Sequence, residues 1–171
     1  KVGKTALGNS PFVMYLGDIL FGGDIAKMVQ DFKNSDSDAS VLLRKVEDPT
    51  EYGVAVVRND GKIARLVEKP NEFVSDLAIA GVYCFTASIH EATDRTKPSP
   101  RGELEITDAI QNLLDHNRIV DAYQTTDWWF DCGSKRDLIA ANALALNDFT
   151  NDKNNLILAA QTTSQNASHF T

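Results

Sequence analysis

Three apolar segments separated by polar residues predict the first elements of the chain. Residues 12–16 form a short apolar run that ends in Gly17 and Asp18, a pattern typical of a buried strand. Between residues 24 and 32 the apolar side chains recur at helical spacing, and residues 40–43 form a second apolar run. This strand–helix–strand order favours a parallel sheet with a right-handed crossover.

The pattern then changes to paired strands. Residues 54–57 and 62–67 flank an Asn-Asp-Gly turn at residues 59–61, which predicts a β-hairpin. Residues 78–85 form a longer apolar strand that Gly81 interrupts. The sheet is therefore expected to be mixed, with a hairpin beside the parallel unit.

The remaining segments alternate between helices and short strands. They predict helices at residues 107–117 and 134–146 and strands at residues 119–123 and 128–130. After Asn147 polar residues dominate, so we expect a domain of residues 1–148 followed by a polar tail of residues 149–171. The whole pattern predicts a doubly wound α/β fold with a mostly parallel, mixed sheet.

Composition places the chain among ordinary globular domains. Its 171 residues fit one domain, with 43% hydrophobic and 24% charged residues. No apolar run reaches the length of a membrane span and no signal-peptide pattern is present, so we expect a cytoplasmic protein that binds no membrane. The net charge of −7 argues against nucleic acid as a partner. Cys84 and Cys132 lack metal-ligand spacing, and the first residue, Lys1, suggests a fragment.

Two aspartates follow apolar strands. Asp18 ends the first run, and Asp131 follows the strand at residues 128–130, each close to a glycine. Ligands of open α/β sheets bind beyond the carboxyl ends of strands, and carboxylates at such positions suit Mg²⁺. The same acids are also common as turn residues and helix caps, so both interpretations stay open.

Other charged side chains provide groups that a phosphorylated sugar needs. Glu68 and Lys69 precede Pro70 at the end of a strand, and Arg101 lies in a loop before a helix. A carboxylate accepts hydrogen bonds from sugar hydroxyls, while an ammonium group binds phosphate. The alternatives are a solvated Glu–Lys pair and a helix start capped by Thr107. Because like charges about 4 Å apart repel by about 4 kcal/mol at a protein-like dielectric, phosphate beside paired carboxylates requires a metal ion.

Six segments in order resemble the sugar nucleotidyltransferases, at residues 12–18, 51–54, 67–70, 80–83, 100–108 and 128–133. The Glu-Lys-Pro triplet is weak by itself. The string Arg-Gly-Glu-Leu-Glu-Ile-Thr-Asp at residues 101–108 is the most specific, and it points to the glucose-1-phosphate thymidylyltransferases. The resemblance covers about residues 8–147.

The resemblance implies a reaction and a set of site residues. A glucose-1-phosphate oxygen attacks the α-phosphorus of dTTP in line, which gives dTDP-glucose and pyrophosphate with Mg²⁺ as the cofactor. The implied roles are metal binding for Asp18 and Asp131, sugar-phosphate binding for Lys69 and Arg101, sugar-hydroxyl binding for Glu68, backbone contacts for Gly53 and Ile79, and pocket lining for Tyr83 and Trp129. Taken alone, Tyr83 is more typical of a core residue.

Three departures from the family pattern affect these expectations. The family's glycine-rich nucleotide loop precedes the first strand and is absent here, so the sheet is expected to be incomplete at its N-terminal edge. Ile19 stands where the family usually has Asn, and Cys132 replaces Thr. Two alternatives stay open: a non-catalytic sugar-phosphate-binding or interaction module, and a uridylyl or guanylyl transferase of the same family. A homo-oligomer is also compatible with the sequence.

Overall fold

A computed structural model describes residues 3–133 and 135–151 of the chain. The chain divides into two compact units, Lys1–Trp129 and Phe130–Thr171. The strands are β1 (Phe12–Tyr15), β2 (Ile19–Phe21), β3 (Ala39–Lys45), β4 (Val54–Val57), β5 (Ile63–Val67), β6 (Leu77–Phe85), β7 (Val120–Thr125) and β8 (Trp129–Asp131). The helices are α1 (Lys4–Leu7), α2 (Ala26–Lys33), α3 (Ser88–Arg95), α4 (Ile106–Asp115) and α5 (Lys135–Asn151). Every predicted helix and strand is present, whereas α1, α3 and β2 were not predicted. The expected burial of β1 is wrong, since its Val13 and Tyr15 are 41% and 42% exposed.

The first unit contains a six-stranded mixed sheet. Its order is β5-β4-β6-β3-β7, with β1 paired to β6 beyond this path. Strands β1, β3 and β4 each run antiparallel to β6, β7 runs parallel to β3, and β5 runs antiparallel to β4. Four strands, β1, β3, β4 and β7, therefore share one direction, and the mixed α/β sheet is confirmed.

The strand–helix–strand unit at the start of the chain differs from the expectation in one respect. β1 and β3 run in the same direction, but β6 lies between them and pairs with both. The reason is burial: eight of the nine β6 residues are buried, so this strand is stable only in the middle of the sheet. The shorter β1 is left at a position where it pairs with β6 alone among the described strands.

Helices cover both faces of the sheet. Because side chains alternate along a strand, Val41 and Leu43 of β3 pack on one face and Leu42 on the other. Helices α3 and α4 cover the first face, where Ile110 and neighbouring apolar residues form the larger core cluster. Helix α2 covers the second face through Met28 and residues packed around it. This arrangement confirms the doubly wound α/β fold.

Gly81 in β6 shapes the loop that follows β1. It has a φ of +79°, a conformation that glycine adopts at little cost, and β6 bulges against β3 at this point. A Cβ on Gly81 would lie 2.7 Å from Cγ1 of Ile19, and the Leu16 N–H donates to the Gly81 carbonyl at 3.0 Å. The bulge therefore lets the loop containing Asp18 pack directly on the sheet.

The second unit contains helix α5. The helix ends at Asn151, so residues 149–151, which the prediction assigned to the polar tail, are helical. Residues 152–171 of the predicted tail lie outside the described residues. Among the described helices, none combines the length and the apolar character needed to cross a membrane.

Candidate functional site

Glu68 is fixed by a residue that lies far away in the sequence. It follows β5, and its Oε2 accepts a 2.5 Å hydrogen bond from the Thr107 hydroxyl at the start of α4. Thr107 is only 2% exposed, while the Glu68 side chain is 21% exposed. Thr107 is thus not a helix cap, as one alternative had it, since Glu105 occupies the N-cap position of α4. Oε2 of Glu68 is thus held by Thr107, while its Oε1 lies 3.7 Å from Nη1 of Arg101.

Gly53 provides the space for this contact. A Cβ at Gly53 would lie 2.8 Å from Oε2 of Glu68 and 2.9 Å from Oγ1 of Thr107, closer than such atoms can approach. The Gly53 carbonyl accepts a 2.8 Å hydrogen bond from the Ile79 N–H. The Ile79 amide is therefore already engaged, and a backbone contact from this residue to a ligand would use its carbonyl group.

Lys69 adopts an unusual backbone conformation. Its φ of +37° lies in the left-handed region, which a side chain with a Cβ adopts at a cost of about 1–3 kcal/mol. Two neighbours hold this conformation: the Lys69 N–H donates to the Tyr52 carbonyl at 3.1 Å, and Pro70 is buried. The backbone of Lys69 is therefore specified by its surroundings, and its side chain is exposed next to Glu68.

Arg101 extends over the same carboxylate. Its Nη1 lies 3.7 Å from Oε1 of Glu68 and 3.7 Å from Oε1 of Glu105, and its Nη2 lies 3.8 Å from Oε2 of Glu103. The side chain of Arg101 is 44% exposed. The guanidinium is thus surrounded by carboxylates and retains access to solvent, so an anion can reach its N–H groups.

A cavity of about 560 Å³ joins these residues. Glu68, Lys69 and Arg101, which come from two distant segments of the chain, all line it. Arg65 and Asp108 also line this cavity, and sequence reasoning did not identify either as a site residue. Burial, and then the charge of the neighbouring Glu105, raises the pKa of Asp108. The cavity combines cations and carboxylates, as the binding of a phosphorylated polyol requires.

Of the two aromatic residues predicted to line the pocket, Trp129 is partly buried and Tyr83 is fully buried. Trp129 donates its Nε1–H to the Ala80 carbonyl at 2.9 Å and packs edge-on against Tyr52, with ring centroids 5.2 Å apart. This contact places Trp129 beside the segment that carries Gly53. Tyr83, by contrast, is 2% exposed, so the expected pocket-lining role is wrong for its side chain. Its ring is a core element, and burial together with the charge of Glu68 raises its pKa.

The two aspartates lie where the strand pattern placed them. Asp18 is exposed in the loop between β1 and β2 of the first unit, and its carboxylate accepts no hydrogen bond from a described residue. Asp131 ends β8 in the second unit, and its Oδ1 accepts a hydrogen bond from the Gly133 N–H at 3.1 Å. Among the described residues, no group of three or more His, Cys, Asp and Glu side chains forms a metal cluster. Carboxylates of this kind fit Mg²⁺, which binds one or two of them and takes further oxygens from phosphate and water.

Comparison with known proteins establishes the family. A family model described as nucleotidyl transferase matches residues 1–148. The chain belongs to the nucleotidyl transferase family. Its nucleotidyltransferase relatives include a glucose-1-phosphate thymidylyltransferase of Streptomyces antibioticus, 43% identical over 148 residues, which cover 86% of this chain and 42% of the relative. The low-salt glycan biosynthesis nucleotidyltransferase Agl11 of Haloferax volcanii is 40% identical over 145 residues, 85% of this chain and 41% of that protein.

A solved nucleotidyltransferase structure has the same fold. It is a UDP-glucose pyrophosphorylase complexed with UDP-glucose, with a TM-score of 0.77 and 30% identity over 85% of this chain and 60% of that one. The chain spans about two fifths of the length of the two curated relatives described above. Its fold and its resemblance to the thymidylyltransferases are established by these matches.

The site contacts that could not be predicted from the sequence are long-range. Thr107 lies within the Arg-Gly-Glu-Leu-Glu-Ile-Thr-Asp string, and its hydroxyl partner Glu68 is 39 residues away. A threonine on the apolar face of the first turn of an amphipathic helix could have indicated such a contact, since a buried hydroxyl needs a hydrogen-bond partner. Nothing in the local pattern identified that partner.

Proposed function

We propose that this chain provides the sugar-phosphate and metal-binding half of a Mg²⁺-dependent nucleotidyltransferase that joins glucose-1-phosphate and dTTP to give dTDP-glucose and pyrophosphate. The observation that carries this proposal is the convergence of Glu68, Lys69 and Arg101 on one cavity. Identity to the thymidylyltransferase of Streptomyces antibioticus supports dTTP as the nucleotide.

In this proposal the two cations bind the phosphate of the sugar. Lys69 offers a compact ammonium and Arg101 a planar guanidinium, and the two provide local positive charge in a chain whose net charge is −7. Glu68 accepts hydrogen bonds from the sugar hydroxyls through the oxygen that Thr107 does not hold. Gly53 would contact the sugar through its backbone.

Asp18 and Asp131 would hold the Mg²⁺ ion, which neutralises phosphate charge when bound. The residues of this chain then act by position. Lys69 and Arg101 orient the sugar phosphate so that its oxygen faces the α-phosphorus of the nucleotide, and no covalent protein intermediate is needed. Trp129, which packs against Tyr52 with ring centroids 5.2 Å apart, would contact the sugar from outside the residues that line the cavity. A cytoplasmic location and a homo-oligomeric state are expectations from the sequence.

A second candidate keeps the reaction but changes the nucleotide. Similarity to a UDP-glucose pyrophosphorylase supports uridylyl transfer. Competition among dTTP, UTP and GTP for product formation distinguishes the nucleotides, since the preferred one suppresses use of the others. A third candidate, a non-catalytic sugar-phosphate-binding module, predicts binding of glucose-1-phosphate without turnover.

Calorimetry of glucose-1-phosphate with Mg²⁺ present tests the proposed site. Lys69→Gln and Arg101→Gln are each expected to weaken binding about tenfold or more, because each removes a charge-assisted contact to phosphate. Lys27→Gln is the matched control, since Lys27 is an exposed lysine paired with Asp31 on α2. Equal affinity in the wild type and both site variants would remove these residues from the proposed site.

A further inference from the structure

Arg101 lies in a tight turn that begins at Ser99. The Gly102 N–H donates to the Ser99 carbonyl at 2.8 Å, so Pro100 and Arg101 occupy the two central positions of a β-turn. Gly102 follows with a φ of +82°, and the Ser99 N–H donates to the Glu103 carbonyl at 2.8 Å. These backbone bonds close the turn from both sides.

The side chain of Ser99 forms two further hydrogen bonds, one to the backbone of Arg101 and one to a carboxylate that neighbours its guanidinium. Its hydroxyl oxygen accepts the Arg101 N–H at 3.2 Å, and its O–H donates to Oε1 of Glu105 at 3.1 Å. The same Oε1 lies 3.7 Å from Nη1 of Arg101. The Glu105 side chain is 12% exposed, so this carboxylate is largely withdrawn from solvent. Ser99 thus contacts the backbone of Arg101 directly and its guanidinium through Glu105.

We propose that Ser99 is a positioning residue, which together with Glu105 holds Arg101 ready to bind the phosphate of the sugar. Arginine has a long, flexible side chain, and fixing it beforehand lowers the entropic cost of binding an anion. The hydroxyl of Ser99 keeps the Glu105 carboxylate oriented toward the guanidinium, and this carboxylate limits the positions that Arg101 samples. The role in phosphate binding rests on the proposed function, whereas the fixing of Arg101 does not.

The first experiment measures the fixing of Arg101 without any ligand. In NMR exchange measurements on the whole chain, Ser99→Ala is expected to raise the solvent-exchange rate of the Arg101 amide about fivefold, the effect of one hydrogen bond. Ser99→Thr keeps a hydroxyl and is expected to retain the slow rate. Ser75→Ala is the matched control, since Ser75 accepts the N–H two residues on, from Leu77, at 3.2 Å. An Arg101 exchange rate unchanged by Ser99→Ala would overturn the proposal.

The second experiment measures the dissociation constant of glucose-1-phosphate with Mg²⁺ by calorimetry. Ser99→Ala is expected to raise it about fivefold and Ser99→Thr to restore it. If Arg101→Gln weakens binding while Ser99→Ala does not, the positioning role fails and the proposed function stands. If Arg101→Gln leaves binding unchanged, the proposed role of Arg101 in phosphate binding fails, and the amide exchange rate still decides whether Ser99 fixes Arg101.

Discussion

The bond between Thr107 and Glu68 makes a quantitative prediction about stability. Replacing Thr107 with valine removes the hydroxyl and keeps the shape of the side chain, so Oε2 of Glu68 loses its 2.5 Å donor. Hydrogen bonds to charged groups contribute about 1.5–3 kcal/mol to stability. Because the Glu68 side chain is 21% exposed, water replaces part of the lost bond, and the lower end of this range applies, about 1.5 kcal/mol.

A double-mutant cycle isolates this bond from other effects of each substitution. Thr107→Val, Glu68→Ala and the double variant are unfolded in urea, and the coupling free energy between the two sites is expected to be about 1–2 kcal/mol. Thr107→Val alone is expected to lower Tm by about 3–6 °C in a chain of this length. Thr93→Val serves as the control, since the Thr93 hydroxyl donates to the His90 carbonyl within α3, away from Glu68.

The outcome that would refute this reasoning is a coupling free energy within about 0.5 kcal/mol of zero, the level at which independent sites add. Such additivity would mean that the Thr107 hydroxyl does not hold the Glu68 carboxylate in solution. Thr107 would then not contribute to the orientation of Glu68 toward the cavity.

Three further predictions follow from the packing of the first unit. Gly53→Ala is expected to destabilise the chain by about 1–3 kcal/mol in urea unfolding, because its Cβ would overlap Glu68, whereas Gly17→Ala, with no atom within 4 Å, is expected to cost much less. Burial raises the pKa of Tyr83 in the folded chain above its value in the unfolded chain, so the free energy of unfolding is expected to fall as the pH rises above about 10. In thermal unfolding Tyr83→Phe is expected to reduce this decline, and an equal decline in both proteins would contradict the prediction. Burial raises the pKa of Cys84 to about 11, so iodoacetamide at pH 8 is expected to label it only after unfolding, and rapid labelling of the native chain would be the opposite result.

Much of the fold could be predicted because its pattern is local. The alternation of Val41, Leu42 and Leu43 between two faces follows from the strand period of two residues, and the hairpin follows from the Asn-Asp-Gly turn. Strand order could not be predicted in this way. The insertion of β6 between β1 and β3 depends on which strand gains most from a central position, and that is a property of the whole sheet.

In the candidate site, too, local motifs could be predicted from the sequence and long-range contacts could not. Glu68, Lys69 and Arg101 were identified from their motifs, but their common cavity depends on contacts over more than thirty residues of sequence. Tyr83 shows the opposite case, since the family resemblance suggested a pocket position and the buried β6 strand placed its ring in the core. For Tyr83, the apolar character of the strand was the better guide.

The central proposal is that Mg²⁺, with Asp18 and Asp131 as its proposed ligands, allows phosphate to bind to an acidic chain. The most direct measurement is the affinity for glucose-1-phosphate by calorimetry with and without Mg²⁺, in the wild type and in Asp18→Asn and Asp131→Asn. We expect Mg²⁺ to strengthen binding at least about tenfold in the wild type and to have little effect in either variant, since each loses one carboxylate charge. Binding that is equally strong without Mg²⁺, or a full Mg²⁺ effect in both variants, would contradict the account.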